Sequence, residues 1–124
     1  MTLREKQTKF WFMVAQLILK SVTLKTPIFI SEWTRTLEQQ RINVARGVSK
    51  SMKSKHLDGL AIDIIFLEDV RDDGKLNYDN EKYRALGEFW ESLGGRWGGR
   101  FGDNTSTEKI EGWDCGHFEY IGTA

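Results

Sequence analysis

The chain is poor in several residue types that would otherwise dominate a reading of it. It has one cysteine, one proline and two histidines in 124 residues. The lone Cys115 excludes an internal disulfide framework, and with it the usual sign of an oxidising compartment. A nucleophilic thiol and a small buried residue are both open to it, burial being the ordinary fate of a free cysteine. Net charge is absent as well. Eighteen basic and eighteen acidic residues cancel, so no global field draws the chain to nucleic acid or an anionic membrane, and no nucleic-acid partner is expected. A long hydrophobic run is also missing. The stretch Phe10 to Leu19 is interrupted by Gln16 and is too short to span a bilayer. Arg4, Lys6 and Lys9 before it imitate a signal peptide, but Lys20-Ser21-Val22-Thr23 is a poor cleavage site. Phe10, Met13, Val14, Leu17 and Ile18 instead fall at helical spacing, which predicts a core-facing stripe. The expectation is a chain without stable membrane insertion or an export signal, made in the cytoplasm.

What is present reads as one globular domain over residues 1–124, with 40% apolar and 29% charged residues and no repeat or low-complexity tract. Residues 4–21 read as a helix, broken at Thr26-Pro27. Ile28 to Ile30 is a short β-prone run. Thr36 to Arg46 reads as a second helix, with Thr36 and Gln39 in capping-box positions and Gly47 as the C-terminal stop. Val48 to Lys55 is a basic loop. Leu60 to Phe66 is apolar almost throughout, which predicts a central, buried strand. Glu68 to Asn80 is an acidic, turn-rich stretch with Asp72-Asp73-Gly74 at its tip, and a third helix covers about 80–93 with Tyr83, Leu86, Phe89, Trp90 and Leu93 on one face. Gly94 to Asp103 reads as a shaped, aromatic-bearing loop, 104–112 as a polar loop, and 117–121 as a last strand.

Asp63 is conspicuous inside its apolar strand, because an ionised carboxylate there needs a cation or hydrogen-bond donors. His56 lies seven residues before it, and His117 lies in the cluster Asp114-Cys115-Gly116-His117-Phe118-Glu119. Two imidazoles and a carboxylate are the inventory of a catalytic zinc site, which leaves a fourth position to water. Asp114, three residues before His117, is placed to serve as a general base. Arg35, Arg96 and Arg100 are candidate cations for a developing oxyanion. The competing reading is ordinary: such spacing recurs by chance, the basic residues form a solvated surface, and Trp97, Phe101 and Trp113 are core aromatics. Glu68 to Asp73 invites calcium but lacks the spacing of an EF-hand loop.

Ser54-x-His56-x2-Gly59-x-Ala61-x-Asp63, followed by Asp114-x2-His117-Phe118-Glu119, resembles the zinc D-Ala-D-Ala carboxypeptidase and dipeptidase superfamily. Thr34-Arg35-Thr36-x2-Gln39 and the loop Gly94 to Phe101 extend the resemblance from about residue 28 to 121. The Trp97-Gly98-Gly99 loop and the short form look most like the L-alanyl-D-glutamate peptidases of phage endolysins. The resemblance implies an α+β fold, a small central antiparallel sheet with helices packed on it and zinc on one face. It implies Zn2+ held by His56, Asp63 and His117, with Asp114 as general base where many relatives carry Glu. Arg35 matches the oxyanion-stabilising arginine, and Ser54 and Gln39 match polar residues near the substrate. The implied substrate is the peptidoglycan stem peptide, cut at L-Ala–D-Glu by a monomer with no separate wall-binding domain. Such a lysin would stay cytoplasmic until it is released to the wall. The alternatives are D-Ala–D-Ala cleavage and a non-catalytic, zinc-stabilised binding domain; a purely structural site has no need of Asp114.

Overall fold

The structure, a computed structural model, describes residues 1–47, 55–77, 79–101 and 114–122. Ser54, Trp113 and most of the 48–55 and 104–112 loops lie outside the described residues. Helix α1 (Leu3–Thr23) opens on Thr2, whose side chain accepts a hydrogen bond from the Glu5 amide and so satisfies one of the N–H groups that a helix start leaves unpaired. It buries Phe10, Val14, Leu17 and Ser21. Ile18, expected in this stripe, is 38% exposed. The buried line continues from Leu17 to Ser21, and a step of about 100° per residue turns Ile18 away from it.

Strand β1 (Ile28–Glu32) follows Pro27, whose carbonyl accepts from the Leu67 amide at 3.0 Å. Helix α2 (Leu37–Ala45) starts at Thr36, whose hydroxyl accepts from the Gln39 amide, and it ends just before Gly47, which takes the left-handed conformation at φ 73. Strand β2 (Ala61–Phe66) comes next. The expected third helix is split: residues 80–83 form a 3-10 turn, and helix α3 follows as Arg84–Ser92. Strand β3 (Arg96–Trp97) and a 3-10 turn over 98–100 occupy the stretch read as a loop, and β4 (His117–Glu119) is shorter than expected.

The four strands form one antiparallel sheet in the order β1-β2-β4-β3. Alternation along each strand gives the sheet two different faces. One face carries Ile62, Ile64, Phe66, Phe118 and Trp97, which join Phe10, Val14 and Leu17 of α1 and Leu86 and Trp90 of α3 in a single core. Phe10 and Phe118 each meet Trp90 edge-on, with ring centroids 5.8 Å apart. The indole N–H of Trp90 donates to the Glu119 carbonyl at 3.0 Å, and that of Trp97 donates to the Cys115 carbonyl at 2.7 Å. The polar ends of both core tryptophans are therefore satisfied by the segment that carries His117.

The acidic stretch is closed on itself. Lys82 pairs with Glu68 and with Asp69 (2.5 Å), and Arg71 pairs with Asp73 at 3.0 Å. Among the described residues, no helix is long and apolar enough to cross a membrane.

Candidate metal centre

The other face of the sheet holds the site. Register places Asp63 of β2 opposite His117 of β4, so both side chains project from the same face. The Asp63 Oδ1 atom lies 3.2 Å from His117 Nδ1 and 3.2 Å from His56 Nε2. One ligand atom from each of the three residues lies within 4.8 Å of the others, and this is the one such group among the described residues. The acidic stretch, considered above for calcium, forms none.

His56 reaches the site from a turn rather than from the sheet, and several contacts fix that turn. The His56 ring presents Nδ1 to the Trp33 carbonyl at 2.7 Å. A carbonyl only accepts, so Nδ1 carries a proton, and Nε2 is the nitrogen turned to Asp63. The Arg35 amide donates back to the His56 carbonyl at 3.2 Å. The Trp33 indole donates to the Gly59 carbonyl at 3.0 Å, and the Gln7 side chain donates to the Asp58 carbonyl at 2.8 Å. Gly59 sits at φ 66, and a Cβ there would lie 3.0 Å from Gln7 and 3.4 Å from Trp33. A side chain would be strained by both backbone and space.

His117 is oriented by a carboxylate. Its Nε2 donates to Glu119 Oε1 at 2.8 Å, and both residues are buried. That bond turns Nδ1 toward Asp63 and toward Asp114, whose Oδ2 is 3.8 Å away. A ligand histidine held through its second nitrogen by a carboxylate is a recurring device of metal sites. Glu119 stands two residues after His117 on the same strand face, and that i, i+2 spacing on an alternating strand is the sequence signal for the pairing.

Asp114 is placed by the glycine loop. A Cβ on Gly98 would fall 1.9 Å from the Asp114 carbonyl oxygen and 2.9 Å from the His117 Cβ. Only glycine lets the 98–100 turn pack this close beneath Asp114. Phe101 then stands against the His117 ring at 5.2 Å, as a wall of the site, whereas Trp97 is fully buried in the core.

The charges respond to this crowding. Burial works to raise the Asp63 carboxyl, but hydrogen bonds from His117 and His56, with their charge, hold it well below the usual carboxylate range. Burial opposes a charged His117; its bonds to Asp63 and Glu119 and the nearby Asp114 outweigh that and push the ring up to about 9. Asp114 is shifted up from its ordinary value by burial, with His117 pulling it down, Asp63 pushing it up, and His56 and Arg35 pulling it down more weakly. A carboxyl raised in this way is a better proton acceptor near neutral pH.

Arg35 thus acts on the site electrostatically, and its guanidinium is held in place. Its Nε bonds to Glu32 Oε1 at 2.5 Å, and one terminal nitrogen bonds to Gln40 Oε1 at 2.6 Å. Gln40 is fully buried. Gln39, the residue matched from the sequence, is exposed, and its side chain donates to Asn43 at 2.8 Å. Arg100 is directed to Glu88 and Glu91 of α3 and lies over the Trp97 ring, while Arg96 stands on the site face. Cys115 is fully buried, and burial pushes its thiol up, which suits a packing residue rather than a nucleophile.

Two imidazole nitrogens, each ring held through its other nitrogen, and one carboxylate oxygen are a donor set that suits zinc. With the acidic side chain of Asp114 beside it, the group has the donors and the carboxylate that metal-assisted hydrolysis would call for. The chain belongs to the phage L-alanyl-D-glutamate peptidase family, whose family model matches residues 11–121. It is 38% identical over 72 residues to the L-alanyl-D-glutamate peptidase of Listeria phage A118, a match that covers 58% of this chain and 25% of that one. The chain thus spans about a quarter of the length of that relative. Among solved structures it is similar to the L-Ala D-Glu endopeptidase ChiX of Serratia marcescens, with a TM-score of 0.53 and 27% identity over 76% of this chain and 66% of that one. The same fold occurs in a variant of the D,D-pentapeptidase VanY in complex with Zn(II), with a TM-score of 0.57 and 22% identity over 91% of this chain and 71% of that one. It occurs again in the LD-carboxypeptidase LdcB, with a TM-score of 0.60 and 20% identity over 91% of this chain and 64% of that one.

Proposed function

We propose that the chain hydrolyses the L-Ala–D-Glu bond of the peptidoglycan stem peptide, with zinc held by His56, Asp63 and His117. The observation that carries this reading is the convergence of these three side chains beside Asp114, in a chain that matches its family over residues 11–121. When bound, zinc supplies Lewis acidity at the scissile carbonyl and makes water acidic enough to give up a proton near neutral pH. Asp114 accepts that proton as water attacks and returns it to the amine of D-Glu as the bond breaks. Arg35, held by Glu32 and Gln40, presents positive charge to the oxyanion that develops on the L-Ala carbonyl. His56 would bind through Nε2 and His117 through Nδ1, because their other nitrogens are committed to the Trp33 carbonyl and to Glu119.

The test is mass spectrometry of purified peptidoglycan after digestion. The expected products are glycan strands ending in L-Ala and released peptides beginning with D-Glu, both lost on chelation and restored by zinc. Released D-alanine would reassign the bond. A folded, zinc-loaded protein that cuts nothing would contradict the reading. Asp114→Ala should keep zinc and lose turnover.

A further inference from the structure

Arg96 has no part in the chemistry above, yet it lies on the site face. Register pairs it with Glu119, one strand over from His117 and two residues along, a Cα separation of roughly 8 Å at ordinary strand spacing and rise. Its neighbour Trp97 points the other way into the core, which fixes the direction of Arg96 by alternation. The guanidinium is stacked over the Phe101 ring at 4.5 Å, and Phe101 in turn packs on His117. Among the described residues its nearest carboxylate oxygen is Glu119 Oε2, 3.9 Å away, an ion pair across a gap rather than a hydrogen bond. The other oxygen of Glu119 is committed to His117. The side chain is 57% exposed, so its N–H donors face solvent at the rim of the site while the stack on Phe101 limits its freedom.

The site is therefore flanked by two arginines: Arg35, paired with Glu32 of edge strand β1, and Arg96 on β3, at the far edge of the sheet. A peptide bond laid across the group has an acyl side and an amine side. With Arg35 on the acyl side, Arg96 falls on the side of the leaving amine. In a stem peptide the D-Glu residue continues through its γ-carboxyl, so its α-carboxyl hangs one carbon from the scissile nitrogen. It is an anion in some walls and a carboxamide in others.

We propose that Arg96 is a specificity residue that binds the free α-carboxylate of D-Glu and makes the enzyme prefer it to the α-carboxamide. A planar guanidinium, pre-set by an aromatic ring, matches a carboxylate through two parallel N–H donors and a carboxamide through one. This rests on the L-Ala–D-Glu reading above.

The test uses two synthetic peptides, L-Ala-γ-D-Glu-L-Lys and its D-isoglutamine counterpart, with zinc-loaded wild type, Arg96→Gln and Arg96→Lys. Wild type should favour the carboxylate peptide by about tenfold in kcat/KM, the size of one charge-assisted hydrogen bond. Arg96→Gln should bring the ratio close to one by raising KM for the carboxylate peptide alone, with kcat kept, and Arg96→Lys should restore part of the preference. Equal wild-type rates on the two peptides, an unchanged ratio in Arg96→Gln, or an equal loss on both peptides would overturn the proposal. Cleavage of neither peptide by wild type would instead overturn the L-Ala–D-Glu reading, and the role of Arg96 with it.

Discussion

Along β2, Ile62, Ile64 and Phe66 point between the sheet and helices α1 and α3, whereas Asp63 points to the opposite face and meets both histidines. The same few residues thus serve two regions governed by different physics. The core face is held by non-directional burial, in which Trp90, Phe118 and Phe10 fill a common volume. The site face is held by directed bonds: a backbone carbonyl on His56, a carboxylate on His117, and a glycine that lets the Asp114 segment approach. The first tolerates changes of shape and punishes loss of volume. The second tolerates little change of atom type, because each group is set by one partner.

Substitutions that touch one face and spare the other sharpen this contrast. The largest effect should come from Asp63→Ala, which removes a ligand: zinc retention after gel filtration and peptidoglycan cleavage should both be lost, while the far-UV circular dichroism of the fold persists. Asp114→Asn should cost about 10²–10⁴-fold in kcat with zinc content unchanged, as measured on a purified stem peptide. On the core face, Trp90→Ala should lower unfolding free energy by about 3–5 kcal/mol in urea titrations. Glu119→Gln should weaken zinc binding by about 10–100-fold in chelator competition, with a much smaller change in urea midpoint for the loaded protein. A Glu119→Gln protein that binds zinc like the wild type would remove the distinction drawn here between a packed face and a directed one.

The same directed bonds also predict a pH dependence. His117 is raised from 6.5 to about 9 in the folded chain by Asp63 and Glu119. Its contribution to stability is therefore complete below 6.5 and is lost as pH rises through about 9. Chelator-stripped protein should show a falling melting temperature across that window. Zinc-loaded protein should not, because the metal takes the place of the proton on Nδ1.

The grouping of His56, Asp63 and His117 was legible for a physical reason. A carboxylate in an otherwise apolar strand demands a partner, and a chain with two histidines leaves few candidates. Three of the strands and the three helical segments followed from periodicity and from local caps such as Thr36 and Gly47, which depend on neighbours in the chain, whereas the antiparallel sheet came with the family resemblance. What was not legible depends on tertiary contact. Strand β3 is two residues long and hidden in a glycine-rich stretch, and it exists because β4 pairs with it. Gln40 rather than Gln39 meets Arg35, because α2 turns the two residues to different sides. Arg100 and Arg96 looked equivalent as loop cations, but α3 supplies Glu88 and Glu91 to the first while the sheet carries the second to the site face. Ile18 fits a helical stripe, yet among the described residues no element covers it closely enough to bury it.

The central claim is that the open face of the sheet holds one metal ion on two imidazoles and one carboxylate. Zinc K-edge X-ray absorption on the purified protein tests it most directly, together with the metal-to-protein ratio. The account predicts one zinc per chain with only nitrogen and oxygen neighbours at about 2.0–2.2 Å and a loss of the imidazole signal in His117→Ala. Zinc absent from the folded protein, or a sulfur neighbour at about 2.3 Å that would implicate Cys115, would contradict it.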